Sequence, residues 1–577
     1  MALLSQLSPS SILGTLLLLV SAPLVDPRSD SPLQLLARVA ITSLRRLLFH
    51  PLSSIPGPFS NALSELPATL ALVSGNQHVY YRALHERYGP VVRVSPDEVS
   101  FVSVEARDEI YGFRAGDVDG QLQKGRALME KSPIFLGAVR KVDGCTGVSL
   151  ALDAEHTRQR RALGYLFTNS ALLQEEHLLH VHVRKLMDVF EKAAVESRAL
   201  DFSSWCMSLR PVVLWPCFSG GREGRTMDET DAELVTYVAF DVMGDLCFSS
   251  PFGCLSQASS TEWSTSVINV FVAATWTQGI RRLSGVGTYF ETLLTYLFIP
   301  SAAAKWRTTH LSNARAATRR RLANGDHSHP DFISQILSNS SSKKELTPTE
   351  IELNMALFIS AGTDTTATTL TGWTWYICAH PLIYRRLTQE VRDAFESEEE
   401  IGWEGVRKLR LLEATLLEAL RLFPPSAASQ QRIVPAGGAT IDGFFIPGGK
   451  TVAVSPWAST RSNLNFHRPD DFIPDRWLDE GKEDKLAASV PFGNGPRVCV
   501  GRNLALMEML IITASLLWRF EVEVCAGEFE ERNARWGELD SGRMRTQKVF
   551  HSMTKPALWV RLEKVRRRAS EGPTMER

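Results

Sequence analysis

The chain has 577 residues, 44% of them hydrophobic and 22% charged, an ordinary globular balance that excludes a fibrous or low-complexity protein. With 63 Lys+Arg against 64 Asp+Glu the formal net charge is −1, so the basic excess expected of a nucleic-acid-binding protein is missing. The 8 cysteines are sparse for this length and form no Cys-x-x-Cys pair, which excludes a disulfide framework and a zinc site of the usual spacing.

No repeat of fixed period and no long linker divides the chain, so it reads as one large domain behind an N-terminal segment. Ile12 to Val25 is leucine-rich and uncharged, but shorter than the roughly 20 residues that cross a bilayer as a helix. No Lys or Arg precedes it to form the basic start of a cleaved signal peptide, so an uncleaved anchor is the expectation. Leu33 to Phe49 is a second apolar stretch that carries Arg38, Arg45 and Arg46, the pattern of an interfacial helix. Pro56-Gly57-Pro58 then stops any helix and sets a stiff hinge.

Further on, His156 and Arg160 stand at i and i+4, on one helical face. Thr347-Pro348-Thr349-Glu350 is a capping box with proline at the first helical position, and the apolar run behind it reaches Ala379 before Pro381. At 1.5 Å per residue such a helix is roughly 48 Å long, enough to cross a large domain. In its middle, Ala361-Gly362-Thr363-Asp364-Thr365-Thr366 is poor helix-forming material; threonine hydroxyls bond back to carbonyls, and a kink is expected here. A buried acid and hydroxyl at mid-helix are costly unless they serve something. Glu418-Ala419-Leu420-Arg421 lies on another helix, closed by Pro424-Pro425, with Glu418 and Arg421 on one face.

The stretch from Pro491 to Gly501, Pro-Phe-Gly-Asn-Gly-Pro-Arg-Val-Cys-Val-Gly, is a glycine-punctuated loop ahead of a strongly helical run. Cys499 therefore sits at or just before a helix N-terminus, where the dipole and free amides favour a thiolate. Gly493, Gly495 and Gly501 read as positions of positive φ and close backbone approach to a flat cofactor, and Arg497 is in reach of a cofactor carboxylate. The other cysteines read as buried, inert thiols.

This loop resembles the haem-binding signature of the cytochrome P450 family, Phe-x-x-Gly-x-Arg-x-Cys-x-Gly, matched by Phe492, Gly495, Arg497, Cys499 and Gly501. Ala361 to Thr366 is similar to that family's distal-helix pattern. Glu418 and Arg421 resemble its Glu-x-x-Arg, and Phe472-Ile-Pro-Asp-Arg476-Trp477 its second arginine motif. The likeness covers about residues 50–565, and with Phe240 to Phe248 it looks most like microsomal members from filamentous fungi.

The resemblance implies a mostly α fold: a large helical domain with a small β-rich region, behind a membrane anchor at 1–49 and ahead of a polar tail at 566–577. It implies haem b as cofactor, Cys499 as the axial ligand to the iron, Phe492 packed by the sulfur and Arg497 on a haem propionate. His156 with Arg160, and Arg432, occupy the places of further propionate-binding residues. Ala361 and Gly362 would border a groove for dioxygen, while Asp364 and Thr365 would deliver protons. Glu418, Arg421 and Arg476 would form a buried charge network that supports the cysteine loop, a structural role. The implied reaction inserts one oxygen atom from O2 into a lipophilic small molecule, in fungal secondary metabolism. Electrons are expected from a separate NADPH-cytochrome P450 reductase, with cytochrome b5 as an accessory donor, since the chain has no Rossmann glycine fingerprint. The expected location is the endoplasmic reticulum membrane, with the catalytic domain in the cytosol.

Two alternatives stand beside this reading. One is a haem-thiolate isomerase or dehydratase that needs no O2, against which the intact Asp364-Thr365 pair argues. The other is a non-catalytic, degenerate paralogue. It is favoured only by residues 206–239, which intervene where family members pass directly from a segment like Asp201–Trp205 to one like Phe240–Met243. That stretch has no defensible periodicity and reads as a translated intron ahead of a surface insertion. Substrate contacts are expected in loops near 110–150, on the distal helix before Gly362, at Ser426 to Ser429 and at Met553 to Lys555.

Overall fold

The computed structural model describes residues 41–112, 128–135, 141–202, 234–257, 259–324, 331–338, 346–478, 483–537 and 547–566. The principal helices are α1 (Asp153–Leu163), α2 (Asn169–Val195), α3 (Leu234–Phe248), α4 (Glu262–Ser284), α5 (Tyr289–Phe298), α6 (Ser301–Asn324), α7 (Pro348–Ala379), α8 (Arg410–Leu422) and α9 (Arg502–Arg519). The short strands are β1 (Val91–Ser95), β2 (Glu98–Phe101), β3 (Glu130–Lys131), β4 (Leu200–Asp201), β5 (Arg432–Ile433), β6 (Ala439–Ile441), β7 (Phe444–Ile446), β8 (Thr451–Val454), β9 (Phe520–Val524), β10 (Val549–Phe550), β11 (Ser552–Met553) and β12 (Trp559–Lys564). One sheet runs β1-β2-β8-β5-β3, with only β2–β8 parallel; another runs β4-β12-β9, and β6–β7 and β10–β11 are separate hairpins. The architecture is thus mostly α with a small β-rich region.

Helix α7 explains itself locally. The Thr347 hydroxyl accepts from the Glu350 amide at 3.2 Å, and the Glu350 carboxylate accepts from the Thr347 amide at 2.8 Å, which satisfies two donors that a helix start leaves open. The helix is continuous for 32 residues, through Ala361–Thr366. Thr365, Thr369, Thr371 and Thr374 each donate a hydroxyl hydrogen bond to the carbonyl four residues earlier, which satisfies their hydroxyls within the helix. Apolar side chains of α2, α3, α7 and α9, among them Phe190, Phe240, Trp373 and Leu517, share one core, and each buried side chain of this size contributes about 1.5–3 kcal/mol. A second core, with Phe101 and Val452, packs the hinge residues Leu52 and Ile55 against β1, β2 and β8.

The hinge is fastened as well as stiff: the Arg93 amide donates to the Pro56 carbonyl at 2.8 Å, and a Cβ on Gly57 would meet the Arg93 carbonyl oxygen at 2.5 Å. Residues 41–48 are helical and present Ile41, Leu44 and Leu48 to solvent. The apolar run at 12–25 lies outside the described residues, as does the tail beyond 566; among the described residues no helix is long and apolar enough to cross a membrane. Of the intervening stretch 206–239, residues 206–233 lie outside the described residues. Residues 234–239 are the start of α3, with Val235, Tyr237, Val238 and Ala239 buried and the helix packed on α7. The last residues of the intervening stretch are thus part of the helical core.

Candidate active site

The cysteine loop is built by backbone. The Cys499 amide donates to the Phe492 carbonyl at 2.7 Å, closing a turn in which Gly493 and Gly495 take φ of 78° and 69°. A Cβ on Gly495 would meet the Tyr111 carbonyl oxygen at 2.0 Å, so only glycine fits there. Gly501 differs from expectation: it caps α9 with an ordinary φ of −86°, and a Cβ on it would come no closer than 3.8 Å to Phe167. Cys499 is exposed, yet almost enclosed by protein, because its free surface faces an internal cavity. The expected thiolate stabilisation is outweighed in the protein alone: burial pushes the thiol up, and the Gly501 backbone and Arg160 charge pull it down without reversing that.

The cavity, about 280 Å³, lies between this loop and α7. From α7 come Leu357, Phe358, Ala361, Gly362, Thr365, Thr366 and Thr369; from α1, His156 and Arg160; from the loop, Phe492, Arg497 and Cys499. Ala361 is exposed within an otherwise buried stretch of helix, so this is where α7 opens to the cavity. The Thr365 hydroxyl donates to the Ala361 carbonyl at 2.6 Å, which leaves its oxygen able to accept from the cavity side. Asp364 is not on the cavity wall; it is buried on the other side of the helix. A larger recess, about 700 Å³, is lined by Phe248, Trp263, Arg320 and Arg321 among others and by no residue of the cysteine loop or α7. The chemistry of the lining, not volume, therefore marks the site.

One edge of the cavity is strongly cationic. Arg497 donates to the Ala151 carbonyl at 2.8 Å and also borders an adjoining cavity on which Arg432 lies, its guanidinium 5.0 Å over the Tyr111 ring. Lys131 was expected only within the substrate-contact loops near 110–150, not as one of the cations at this edge. A two-residue strand brings it opposite Arg432 in the β3–β5 pair, and its Nζ donates to the Ser149 carbonyl at 2.7 Å on the cavity wall. Burial, then Arg432 and Arg497, lower Lys131 to about 7; burial, then Arg497, Arg160 and Lys131, lower His156 to about 4. Cations that depress one another around an apolar cavity call for an anion. With a cysteine sulfur facing the centre and glycines at both walls, the residues fit haem b, whose two propionates would neutralise this edge. Glu508 was also missed: on α9 it lines the cavity floor, accepts from the Thr366 hydroxyl at 3.3 Å, and burial raises it to about 8.

Off the cavity wall, Glu418 collects both arginines. Arg421 donates to its two carboxylate oxygens at 2.8 Å each, Arg476 at 3.0 Å and Trp477 at 2.9 Å. Burial alone would raise the Glu418 carboxyl, but Arg421 and Arg476 overcome it and hold it low. Of the expected substrate contacts, Lys131, Val148, Ser149, Leu357, Phe358 and Ser426 line the cavity. Residues 113–127 and 136–140 lie outside the described residues. Ala427 and Ser429 are buried off the cavity wall, and Lys555 is turned to Asp364.

The family model described as Cytochrome P450 matches residues 223–546. The chain is 49% identical to the cytochrome P450 monooxygenase aba2 of Botryotinia fuckeliana (strain B05.10) over 553 residues, covering 94% of this chain and 97% of the relative. It is 45% identical to the cytochrome P450 monooxygenase ABA2 of Pyricularia oryzae (strain 70-15) over 540 residues, covering 92% and 95%. It is 34% identical to the cytochrome P450 monooxygenase traB of Penicillium crustosum over 541 residues, covering 91% and 95%.

Proposed function

The chain belongs to the cytochrome P450 family, haem-b oxidoreductases that incorporate oxygen from O2, and from that premise we propose that it oxidises a lipophilic small molecule of fungal secondary metabolism. The observation that carries this is the facing pair: a Cys499 sulfur open to an apolar cavity, and Ala361, Gly362 and Thr365 on the opposite wall. Haem held there supplies dioxygen binding and cleavage, and a cysteine thiolate pushes electron density toward the iron in favour of that cleavage.

The protein's own residues have three tasks. Arg497, Arg160, His156, Lys131 and Arg432 would hold the propionates of a bound haem. Leu357, Phe358, Met243 and Pro425 exclude bulk water and favour an apolar substrate. The Thr365 hydroxyl holds a proton at the open wall, with Asp364, one residue before it, as the acid that resupplies it. We take the electrons to come from a separate NADPH-dependent reductase, with cytochrome b5 as an accessory.

A membrane partner belongs to the same proposal. On α5, Tyr289 and Tyr296 are 98% and 85% exposed, and Leu293, Leu297 and Phe298 are exposed beside them. Residues 41–48 present a second apolar face. A polar chain links the two: Arg46 donates to the Leu63 carbonyl, and Glu65, two residues on, pairs with Arg282 near the end of α4. Two apolar faces so connected support seating on the endoplasmic reticulum bilayer by α5 and the N-terminal segment together. The proposal is tested by comparing metabolites of a deletion strain with its parent. The expected result is loss of a product and accumulation of a precursor one oxygen atom poorer. A precursor that differs from the lost product by isomerisation or water alone would refute it.

A further inference from the structure

On α7 the acid and the hydroxyl of the proposed proton route face apart. Thr365 opens on the cavity, while the Asp364 carboxylate is bound by the C-terminal segment. Lys555 Nζ donates to Asp364 Oδ1 at 2.8 Å and to the Thr368 hydroxyl at 3.0 Å, and the Ser552 hydroxyl donates to Asp364 Oδ2. The side chains of Lys555 and Asp364 are 1% and 3% exposed. A buried ion pair is a poor route to stability, because desolvating two charges consumes most of what their attraction returns. Its value here lies in fixing where the carboxylate is.

Beside the pair is a recess of about 10 Å³, bordered by Asp364, Ser552, Met553, Thr554 and Phe550 and by Ile268, Phe271 and Val272 of α4, so that its polar partners are few and lie at the Asp364 end. That is room for about one water, next to a carboxylate and a hydroxyl. The recess lies on the side of α7 away from the cavity, between α4 and the β10–β11 hairpin. The same hairpin is tied to the cavity wall, since the Met553 amide donates to the Pro425 carbonyl at 2.8 Å and Pro425 lines the cavity.

We propose that Lys555 is a positioning residue that holds the buried Asp364 carboxylate on the face of α7 turned to α4 and the C-terminal hairpin, so that Asp364 takes up its proton from that face and not from the substrate cavity. A proton from solvent reaches the recess water as hydronium, which protonates the Asp364 carboxylate as it loosens from Lys555 and is left as neutral water. The carboxylic acid then turns toward Thr365 and gives its proton to the hydroxyl oxygen, while the Thr365 proton leaves the Ala361 carbonyl for an acceptor in the cavity. Lys555 keeps its charge throughout, and no electron moves in these steps.

The inference rests on the reading of Asp364 and Thr365 as a proton route, and the experiment separates the two. Holoenzyme with its reductase is driven by NADPH, and turnover, product per NADPH and the solvent deuterium isotope effect are read for Thr365→Ala, Asp364→Asn, Lys555→Met, Lys555→Arg and Ser552→Ala. A one-ångström misplacement of a reacting group is worth about a hundredfold, so Lys555→Met should slow turnover by about ten- to a hundredfold and enlarge the isotope effect. Lys555→Arg keeps the charge but not the two-point grip, and should show a smaller change of the same kind; it also stands in if Lys555→Met does not fold. Altered isotope effects in Thr365→Ala and Asp364→Asn, with wild-type values in every folded Lys555 and Ser552 variant, would overturn the role of Lys555 and leave the route. Wild-type isotope effects and coupling in Thr365→Ala and Asp364→Asn would overturn the route itself.

Discussion

Replacing Glu418 by glutamine keeps the side chain's shape and removes only its charge and one acceptor. On one carboxylate oxygen, Oε1, converge Arg421 Nη2, Arg476 Nε and the Ile473 amide; on the other, Oε2, converge Arg421 Nε and Trp477 Nε1. A glutamine must place its NH2 at one of the two positions, where it meets donors head-on. The better orientation loses two hydrogen bonds at Oε2, and the worse loses three. Leaving a buried donor unsatisfied costs about 1–3 kcal/mol, more when the donor is charged. Arg421 is fully buried and loses its countercharge, while Arg476, nearly as buried, keeps only Asp484. The expected cost is therefore about 3–5 kcal/mol, the range for breaking one partner out of a buried pair. Against a total stability of about 5–15 kcal/mol this is severe. The holoenzyme variant should unfold at a distinctly lower urea midpoint and lose its thiolate-type band in the reduced carbon monoxide complex early in the transition. A Glu418→Gln protein with the wild-type midpoint and full haem retention would refute the network as a support of the loop.

Cys499→Ser should bind haem weakly and show no thiolate-type carbon monoxide band, with unchanged helix content by circular dichroism; an unchanged band would remove Cys499 as the ligand. The folded protein holds Lys131 at about 7, so the haem-free form has released a proton that the unfolded chain keeps until near 10.5. Its stability should therefore rise with pH across that window, and Lys131→Met or bound propionates should flatten the rise, as thermal melts at both ends would read. Burial holds Glu508 at about 8 from an ordinary 4.5, so the folded state keeps a proton that the unfolded state loses, and stability should fall as pH rises between those values. Glu508→Gln should cancel that fall, a gain of a few kcal/mol at the alkaline end at about 1.4 kcal/mol per pH unit, and equal slopes for the two proteins would rule it out.

What the sequence made legible is what spacing along the chain encodes. The capping box at Thr347–Glu350, the pair Glu418–Arg421 on one helix face, and the glycine loop around Cys499 are all short-range, and each stands where its pattern pointed. Residues that meet only in three dimensions left no such trace. Lys131 reaches the cationic edge because a strand of two residues pairs with Arg432, and two residues carry no period. Lys555 reaches Asp364 across 191 positions, so sequence placed it only among the substrate contacts at Met553 to Lys555 and not on the acid of α7. The threonines of α7 are a middle case: propensity counts them as helix-weakening, whereas Thr369 and Thr374 bond back to the carbonyls four residues earlier and Thr366 donates to Glu508, a choice that spacing does not encode. At the cavity wall the Ala361 carbonyl is engaged by the Thr365 hydroxyl, so what the cavity meets is the threonine oxygen. In the proposed route the proton for Thr365 comes from the neighbouring acid on this helix, Asp364, whose carboxylate is gripped by Lys555 and Ser552.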